Sequence, residues 1–251
     1  MNTMLAIILA AVPLVATQPV LVNGRLQPAT SLSQAPANGW VGYTFMAMRT
    51  MSTCGCRLGN DNENISDVSR EPSEAFLFIQ MRDGQATRVR FFTPTCQIDA
   101  GGETVTWIDN VPQADSIAFL RRQVENAGEH GRNGALFALS MHAGATDALV
   151  DIARHNPSSH LRGQALFWLS QQAGEKAAST LRDAVDNDPE DSVRAKAVFG
   201  ISQLPNDQSI PLLADLLKHH KSREVRKKAA FWLGQKNDPR ALEVLMDVLQ
   251  Q

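Results

Sequence analysis

The chain is poor in the side chains that usually carry chemistry. Its three cysteines are Cys54, Cys56 and Cys96, and no histidine precedes His130. A zinc site built on these cysteines would therefore lack a fourth ligand of the usual type. The sequence contains no Gly-x-Ser-x-Gly, no phosphate-binding loop and no His-Glu-x-x-His, so nothing indicates the enzyme classes that these motifs mark. We predict no catalytic residue, no metal and no cofactor.

Charge is also sparse and unevenly spread. The formal net charge is -2, which predicts no general attraction to nucleic acid or to an anionic membrane. No lysine precedes Lys176, and the basic side chains before it are arginines. This shift in composition indicates two parts of different origin.

The chain has no long apolar run. Residues 4–15 are apolar apart from one proline, and a membrane-spanning helix needs about 20 such residues. The run has the length of the apolar region of a secretory signal, and Ala16 is a suitable small residue at a cleavage site. We therefore predict a signal peptide over 1–16, a flexible segment over 17–37, and export to the periplasm or the medium. A buried strand or helix is the alternative.

Residues 38–112 have the composition of a small antiparallel β domain. Asp83-Gly84 separates two runs of strand-forming residues, which is a strong hairpin signal. We interpret the polar stretch 59–74 as a long loop between the first and second strands. The predicted strands are 40–48, 75–82, 85–92 and 103–108.

The cysteines follow the first strand and the hairpin. In an exported protein Cys54 or Cys56 would pair with Cys96, closing a loop of about 40 residues. A redox-active Cys-x-Cys and a metal site are the alternatives, because a deprotonated cysteine can act as a nucleophile or a ligand.

The second half of the chain repeats one pattern. It reads HLRGQALFWLSQ from His160, SVRAKAVFGISQ from Ser192 and EVRKKAAFWLGQ from Glu224, each copy 32 residues after the last. A weaker copy, GRNGALFALSMH, starts at Gly131, where glycine replaces the apolar residue. Such a period predicts stacked helix pairs, with Trp168 and Trp232 filling the gaps in the core between neighbouring helices. We predict a connecting helix over 113–128 and an α-solenoid of about four repeats over 129–251.

The pattern Val-Arg-x-x-Ala-x-x-x-Leu-Gly resembles the short HEAT-like repeat that also occurs in phycobilisome lyase proteins. The copy at 225–234 carries it in full. The layout is also similar to exported bacterial HEAT-repeat proteins, on the segment CQIDAGGETVTWIDNVPQADSIAFL from Cys96. The β domain and the solenoid together predict an α+β chain. The resemblance implies a protein-binding scaffold in most cases, although a few such repeats belong to enzymes.

Arg162, Arg194 and Arg226 occupy the same repeat position. In one interpretation each reaches a carboxylate or a helix end in the neighbouring repeat, which the resemblance favours. In the other, the three arginines form a row that holds acidic ligands.

Two neighbouring loops carry opposite charge. Asp183, Asp186, Asp188, Glu190 and Asp191 lie in one, and basic residues crowd the next. The loops either neutralise each other or leave a docking patch for an acidic partner. The candidate binding residues of this basic patch are Lys218, His219, Lys221, Arg223, Lys227 and Lys228.

Helix 240–250 has only a narrow polar stripe. Because an uncovered solenoid end exposes core-type surface, we predict that it packs on a second copy or on a partner.

The predicted function is that of an exported, non-enzymatic protein-binding scaffold with an unidentified protein partner. It would act through both the solenoid and the β domain. The alternatives are a lyase-like solenoid enzyme, with His142, His155 and His160 as candidates by position, and a thiol-redox protein using Cys54 and Cys56. Binding of nucleic acid through the basic patch is disfavoured by export and by the net charge.

Overall fold

The computed structural model describes residues 18–54, 56–59, 64–69, 71–172 and 174–250. The predicted signal peptide lies outside these residues. The described part begins with strands and continues with helices, so the predicted order of a β region followed by a solenoid is confirmed. The strands are β1 Val20–Val22, β2 Arg25–Ala29, β3 Gly39–Ala47, β4 Thr50–Cys54, β5 Asn64–Ser69, β6 Ser73–Arg82, β7 Gln85–Phe92, β8 Gln97–Asp99 and β9 Thr104–Ile108. The helices are α1 Gln113–Asn126, α2 Glu129–Met141, α3 Thr146–His155, α4 Ser159–Gln172, α5 Glu175–Asn187, α6 Asp191–Gln203, α7 Asn206–His219, α8 Arg223–Gly234 and α9 Pro239–Leu249.

The main sheet has five strands in the order β2-β9-β3-β6-β7. The β6–β7 hairpin forms as predicted, with Asp83 and Gly84 at φ 50° and 74°, the left-handed conformations that a two-residue hairpin turn requires. The expectation of a purely antiparallel domain is wrong, because β9 runs parallel to both β3 and β2.

Two predicted loops contain strands. The segment 17–37, expected to be flexible, contributes β2 to the edge of the main sheet and β1, which pairs with β8. The stretch 59–74, expected to be a loop, contains β5, which pairs antiparallel with β4. Both strands are polar in composition, so the sequence did not indicate them. A strand at the edge of a sheet is held by backbone hydrogen bonds and does not need an alternating apolar pattern.

The sheet is buried on both faces. Residues such as Val41, Tyr43 and Leu77 face the helices and belong to the same hydrophobic core as the solenoid. Trp40, Phe76, Phe78, Val105 and Trp107 alternate with them and form a second, smaller core on the other face. The sheet and the helices are therefore joined by a continuous apolar core rather than by a linker.

Backbone hydrogen bonds fasten the first repeat to the sheet. The Ala143 N–H donates to the Met46 carbonyl and the Met48 N–H donates to the Met141 carbonyl, both at 2.8 Å. Beside them His142 contacts Ser116 Oγ at 3.0 Å through Nε2, and Ser116 Oγ contacts the Tyr43 hydroxyl at 3.0 Å. Burial lowers the pKa of His142, which favours the neutral imidazole in this network.

Helix α2 lies against strand β7 at unusually short distance. A Cβ at Gly131 would lie 1.7 Å from the Ala86 carbonyl oxygen, and one at Gly134 would lie 2.9 Å from Val89 Cγ2. Gly131 stands where the later repeats have an apolar residue, because this helix packs on a strand backbone instead of on a preceding repeat. The departure of the first copy from the repeat pattern therefore has a steric cause.

Gly131→Ala is expected to lower the free energy of unfolding by about 1–3 kcal/mol, because α2 must move away from β7. Urea denaturation measures this change. The matched control is Gly234→Ala in α8, where no heavy atom lies within 4 Å of the added Cβ and helix propensity favours alanine. Equal stability of the two variants would contradict the proposed close contact.

Candidate functional site

The helices of the solenoid form two layers. The even-numbered helices α2, α4, α6 and α8 pack side by side in sequence order, and the odd-numbered helices form the other layer. Ion pairs tie each odd helix to the next. These pairs are Arg121–Asp151, Arg154–Asp183, Arg182–Asp215 and Lys218–Asp247. The even layer lacks such a ladder among the described residues and carries aromatic side chains instead.

One aromatic residue recurs at the same position of every even helix. The four are Phe137, Phe167, Phe199 and Phe231. Together with Trp168 and Trp232 they form a chain of ring contacts, which we name the aromatic row. Successive ring centroids from Phe137 through Trp168, Phe167, Phe199 and Trp232 to Phe231 are 5.0, 4.9, 6.4, 5.0 and 4.9 Å apart. These distances fall in or near the range of favourable aromatic pairs.

The aromatic row is only partly buried. Phe167 is 36% exposed and Phe231 57% exposed. Trp168 and Trp232 are half-buried, so the interpretation of both tryptophans as residues of the solenoid core is only partly right. The helix pattern identified the positions, but it could not show that the row leaves apolar edges open to solvent.

The residue that follows each phenylalanine alternates in size. It is Ala138, Trp168, Gly200 and Trp232 in successive even helices. Each tryptophan contacts the phenylalanine of the preceding even helix. Ala138 and Gly200 leave a gap between the two tryptophans. A Cβ at Gly200 would lie 2.5 Å from Leu181 Cδ2, so this gap is also required by the packing of α5 against α6.

Polar groups flank the aromatic row on the same helices. Gln171, Gln203 and Gln235 lie one helical turn after the phenylalanines and are exposed. Their amides can both donate and accept hydrogen bonds. Gln171 and Gln203 donate to the neighbouring Ser170 and Ser202 Oγ atoms. Exposed aromatic edges and amide groups therefore lie next to each other on these helices.

The arginines at the repeated position stabilise helix ends. Arg162 donates through Nη1 to the Asn156 carbonyl at 3.0 Å, and Arg226 donates to the His220 carbonyl at 2.7 Å. Arg194 makes the same contact with the carbonyl of Asp188. Each acceptor is the C-cap of the preceding odd helix, where a cation also opposes the helix dipole. The three guanidinium groups therefore stabilise contacts within the solenoid.

Sequence reasoning missed a fourth member of this set. Arg132 in α2 donates through Nε to the carbonyl of Ala127, the C-cap of α1, at 3.1 Å. Its repeat position matches that of Arg162 when the weak first copy is aligned on its Ala-Leu-Phe. That alignment was the available signal.

Arg162 also makes a buried ion pair with the next repeat. Its Nε and Nη2 donate to both oxygens of Asp188, at 2.8 and 2.9 Å. Burial alone would raise the pKa of Asp188, but the hydrogen bonds from Arg162 and from the Glu190 N–H outweigh burial and lower that pKa. The carboxylate is therefore charged, and the pair fixes α4 against the end of α5.

The acidic loop is neutralised by arginines rather than by the basic patch. Asp183 pairs with Arg154 and Asp186 with Arg182, while Asp191 pairs with Arg194. Across the two loops, His220 Nε2 lies 3.5 Å from Asp186 Oδ1. The acidic loop is therefore neutralised mainly by arginines of α3, α5 and α6 and not by the basic loop.

The predicted basic patch is exposed around the start of α8. Lys218 pairs with Asp247 at 2.6 Å and Lys227 with Glu224 at 2.9 Å. His219, Lys221, Arg223 and Lys228 are exposed. The role of this patch in binding stays a prediction.

A disulfide joins Cys56 to Cys96, with the two Cα atoms 6.3 Å apart. Both cysteines pack against the smaller core on the outer face of the sheet. The side chain of Cys54 lies outside the described residues. Of the two predicted partners of Cys96, Cys56 is therefore the one that forms the disulfide, and Cys56 is not paired with Cys54.

The candidate histidines do not converge. His142 is buried in the joint between sheet and helices, while His155 and His160 are exposed and His155 pairs with Asp151. Within the described residues no group of three or more His, Cys, Asp or Glu side chains is arranged to hold a metal ion. No helix among these residues has the length and hydropathy needed to cross a bilayer.

Helix pairs stacked in two layers define a helical-repeat protein, an α-solenoid joined to a mixed β sheet. The family model of HEAT repeats matches residues 146–220 and 178–251. Residues 146–251 therefore consist of HEAT repeats. The match does not include α2, which packs on the sheet.

Comparison with curated proteins finds no match. Among solved structures the chain is similar to human deoxyhypusine hydroxylase in complex with glycerol, at 21% identity and a TM-score of 0.39. That similarity covers 52% of this chain and 43% of the hydroxylase, so the chain spans less than half of its length. A designed armadillo repeat protein in complex with the peptide (KR)4 is similar at 20% identity and a TM-score of 0.34, over 52% of this chain and 69% of that one.

Proposed function

We propose that this protein is a non-enzymatic scaffold whose even helix layer binds an extended segment of a partner protein along the aromatic row. The observation that carries the proposal is the open edge of the row at Phe167 and Phe231. Aromatic side chains are the commonest anchors of protein interfaces. HEAT repeats present such rows on a rigid surface, since each repeat holds its neighbour in place.

The spacing of the helices limits the kind of segment that fits. Packed helices lie about 8–10 Å apart, and an extended chain advances about 3.3 Å per residue. One repeat therefore corresponds to roughly three residues of an extended partner. We propose an apolar or aromatic residue at about every third position, with its backbone near Gln171, Gln203 and Gln235.

The enzymatic alternatives lack a supporting observation in the described residues. The candidate histidines lie in separate places, and Cys56 is bonded to Cys96 rather than paired with Cys54. Catalysis would require groups that converge on one reacting atom.

Selection of 12-residue peptides from a random phage-displayed library, on the immobilised chain, tests the proposed function. Selected peptides should lose at least about tenfold in affinity for Phe167→Ala/Phe231→Ala, because removal of aromatic anchors costs about 2 kcal/mol or more. Val20→Ala, which truncates an exposed side chain of β1, is the control and should bind as the wild type does. Peptides that bind the double variant unchanged would refute the proposed surface.

We also propose that the protein works outside the cytoplasm. The Cys56–Cys96 disulfide supports this, since disulfides persist in oxidising compartments. The apolar run at residues 4–15 supports it from the sequence.

The protein purified from an oxidising compartment should show one reactive thiol per chain when denatured without reductant. The chain has three cysteines and the disulfide uses two of them. Titration with a chromogenic thiol reagent, before and after reduction, measures the count. Three thiols before reduction would contradict both the disulfide and the proposed location.

We further propose that α9 contacts a second copy of the chain. Leu242, Met246 and Leu249 are 60%, 50% and 86% exposed and recur at the spacing of one helical face. Light scattering at increasing concentration should show a dimer, and Leu242→Glu/Met246→Glu should shift it to the monomer. A wild-type chain that stays monomeric at high concentration would overturn this proposal.

A further inference from the structure

Two lysines lie beside the aromatic row at one repeat position. Lys196 and Lys228 each precede the phenylalanine of their helix by three residues, which places them one turn away on the same face. Both are exposed. Lys196 leans across the neighbouring helix, since a Cβ at Gly163 would lie 2.5 Å from its Cδ. The absence of a side chain at Gly163 thus lets the Lys196 stem lie over α4, beside the row.

Three other lysines of the solenoid, unlike these two, form ion pairs. Lys176, Lys218 and Lys227 pair with Asp147, Asp247 and Glu224, respectively. Among the described residues no carboxylate within 4 Å pairs with Lys196 or Lys228. Within the described residues, the surface next to the row therefore carries two ammonium groups without an ion-pair contact, of which Lys228 also interacts with Glu224 through space.

Two acidic groups near this face are engaged in ion pairs. Glu224, at the start of α8, pairs with Lys227, and that hydrogen bond is the largest cause of its lowered pKa. Asp191, at the start of α6, pairs with Arg194. Alongside Phe199 and Phe231 the exposed ammonium groups of Lys196 and Lys228 are accessible to a partner.

A groove with charged side chains lies at the sheet end of the solenoid. A groove of about 1140 Å³ lies between β7 and the start of α2, and Val89 and Gly134 line it. Its charged lining comprises Arg82, Arg88, Arg90, Asp83 and Glu129. Phe91 of β7 contacts Phe137 with ring centroids 5.2 Å apart, and Gly134, which lines the groove, precedes Phe137 by three residues on α2.

We infer that the partner segment is acidic, with carboxylates placed next to its apolar residues so that they reach Lys196 and Lys228. This inference rests on the proposed function, because it assigns the charge of the segment that the row binds. An acidic residue beside an anchor at every third position would meet one lysine at each of the last two even helices. Complementary charge of this kind sets the choice of partner and its direction along the row.

The probes are four fluorescein-labelled molecules, namely the peptides (Glu-Glu-Trp)4, (Gln-Gln-Trp)4 and (Lys-Lys-Trp)4 and the oligonucleotide (dT)12. Fluorescence anisotropy measures their affinity for the full chain. The acidic peptide should bind about tenfold more tightly than the glutamine peptide at low salt, and this preference should shrink between 50 and 500 mM NaCl as the charges are screened.

Lys196→Gln/Lys228→Gln should remove the preference for the acidic peptide and leave the affinity for the glutamine peptide unchanged. Arg122→Gln/Lys176→Gln removes two exposed charges of the odd helix layer and is the matched control, which should keep the preference. Lys221→Gln/Arg223→Gln tests the basic patch as a competing source of the preference. Circular dichroism checks that each variant is folded.

The outcomes separate this inference from the proposed function. If the glutamine peptide binds through Phe167 and Phe231 without any preference for acid, the inference is wrong and the proposed function stands. A preference that follows Lys221 and Arg223 instead, or binding of (dT)12 as tight as that of the acidic peptide, also overturns it. If no peptide binds, or if binding is unchanged in Phe167→Ala/Phe231→Ala, both proposals fail.

Discussion

The close contact between α2 and β7 is the constraint on which the rest of the structure depends. A solenoid repeat buries its apolar face only against a neighbour, and in the described part of the chain α2 has strand β7 as such a neighbour. The missing side chains at Gly131 and Gly134 allow the helix to lie on the strand backbone. Backbone hydrogen bonds from residues 141–143 to β3 then fix its end, so the sheet acts as the covered end of the solenoid.

With α2 held in place, each repeat orients the repeat that follows it. Each motif arginine caps the helix before it, from Arg132 to Arg226, and each even helix meets the next through aromatic rings. The line of rings begins at Phe91 in the sheet and reaches Phe231 in α8. The even layer thereby holds apolar edges, amides and unpaired lysines in one direction, while ion pairs hold the odd layer together. The candidate binding surface therefore lies on the even helix layer.

Particular elements show where sequence reasoning succeeded and failed. The β6–β7 hairpin followed from Asp83-Gly84, because two adjacent left-handed residues fit few other structures. The HEAT repeats followed from a period that leaves little choice of architecture. The strands β2 and β5 were missed because their partners are distant in sequence or are polar. Trp168 and Trp232 were placed in the core because a helical pattern cannot tell a core face from a face that is covered only in part.

The sequence by itself determined the elements that depend on local spacing, namely the repeats, the hairpin, the candidate cysteines and the arginine at each helix start. Only the tertiary structure decided which distant groups meet. It paired Cys56 with Cys96, added β9 in parallel to β3, and set Lys196 across Gly163 beside Phe167. The reason is physical: periodicity fixes the direction of a side chain relative to its own helix or strand, whereas contacts between elements depend on packing, to which every element contributes.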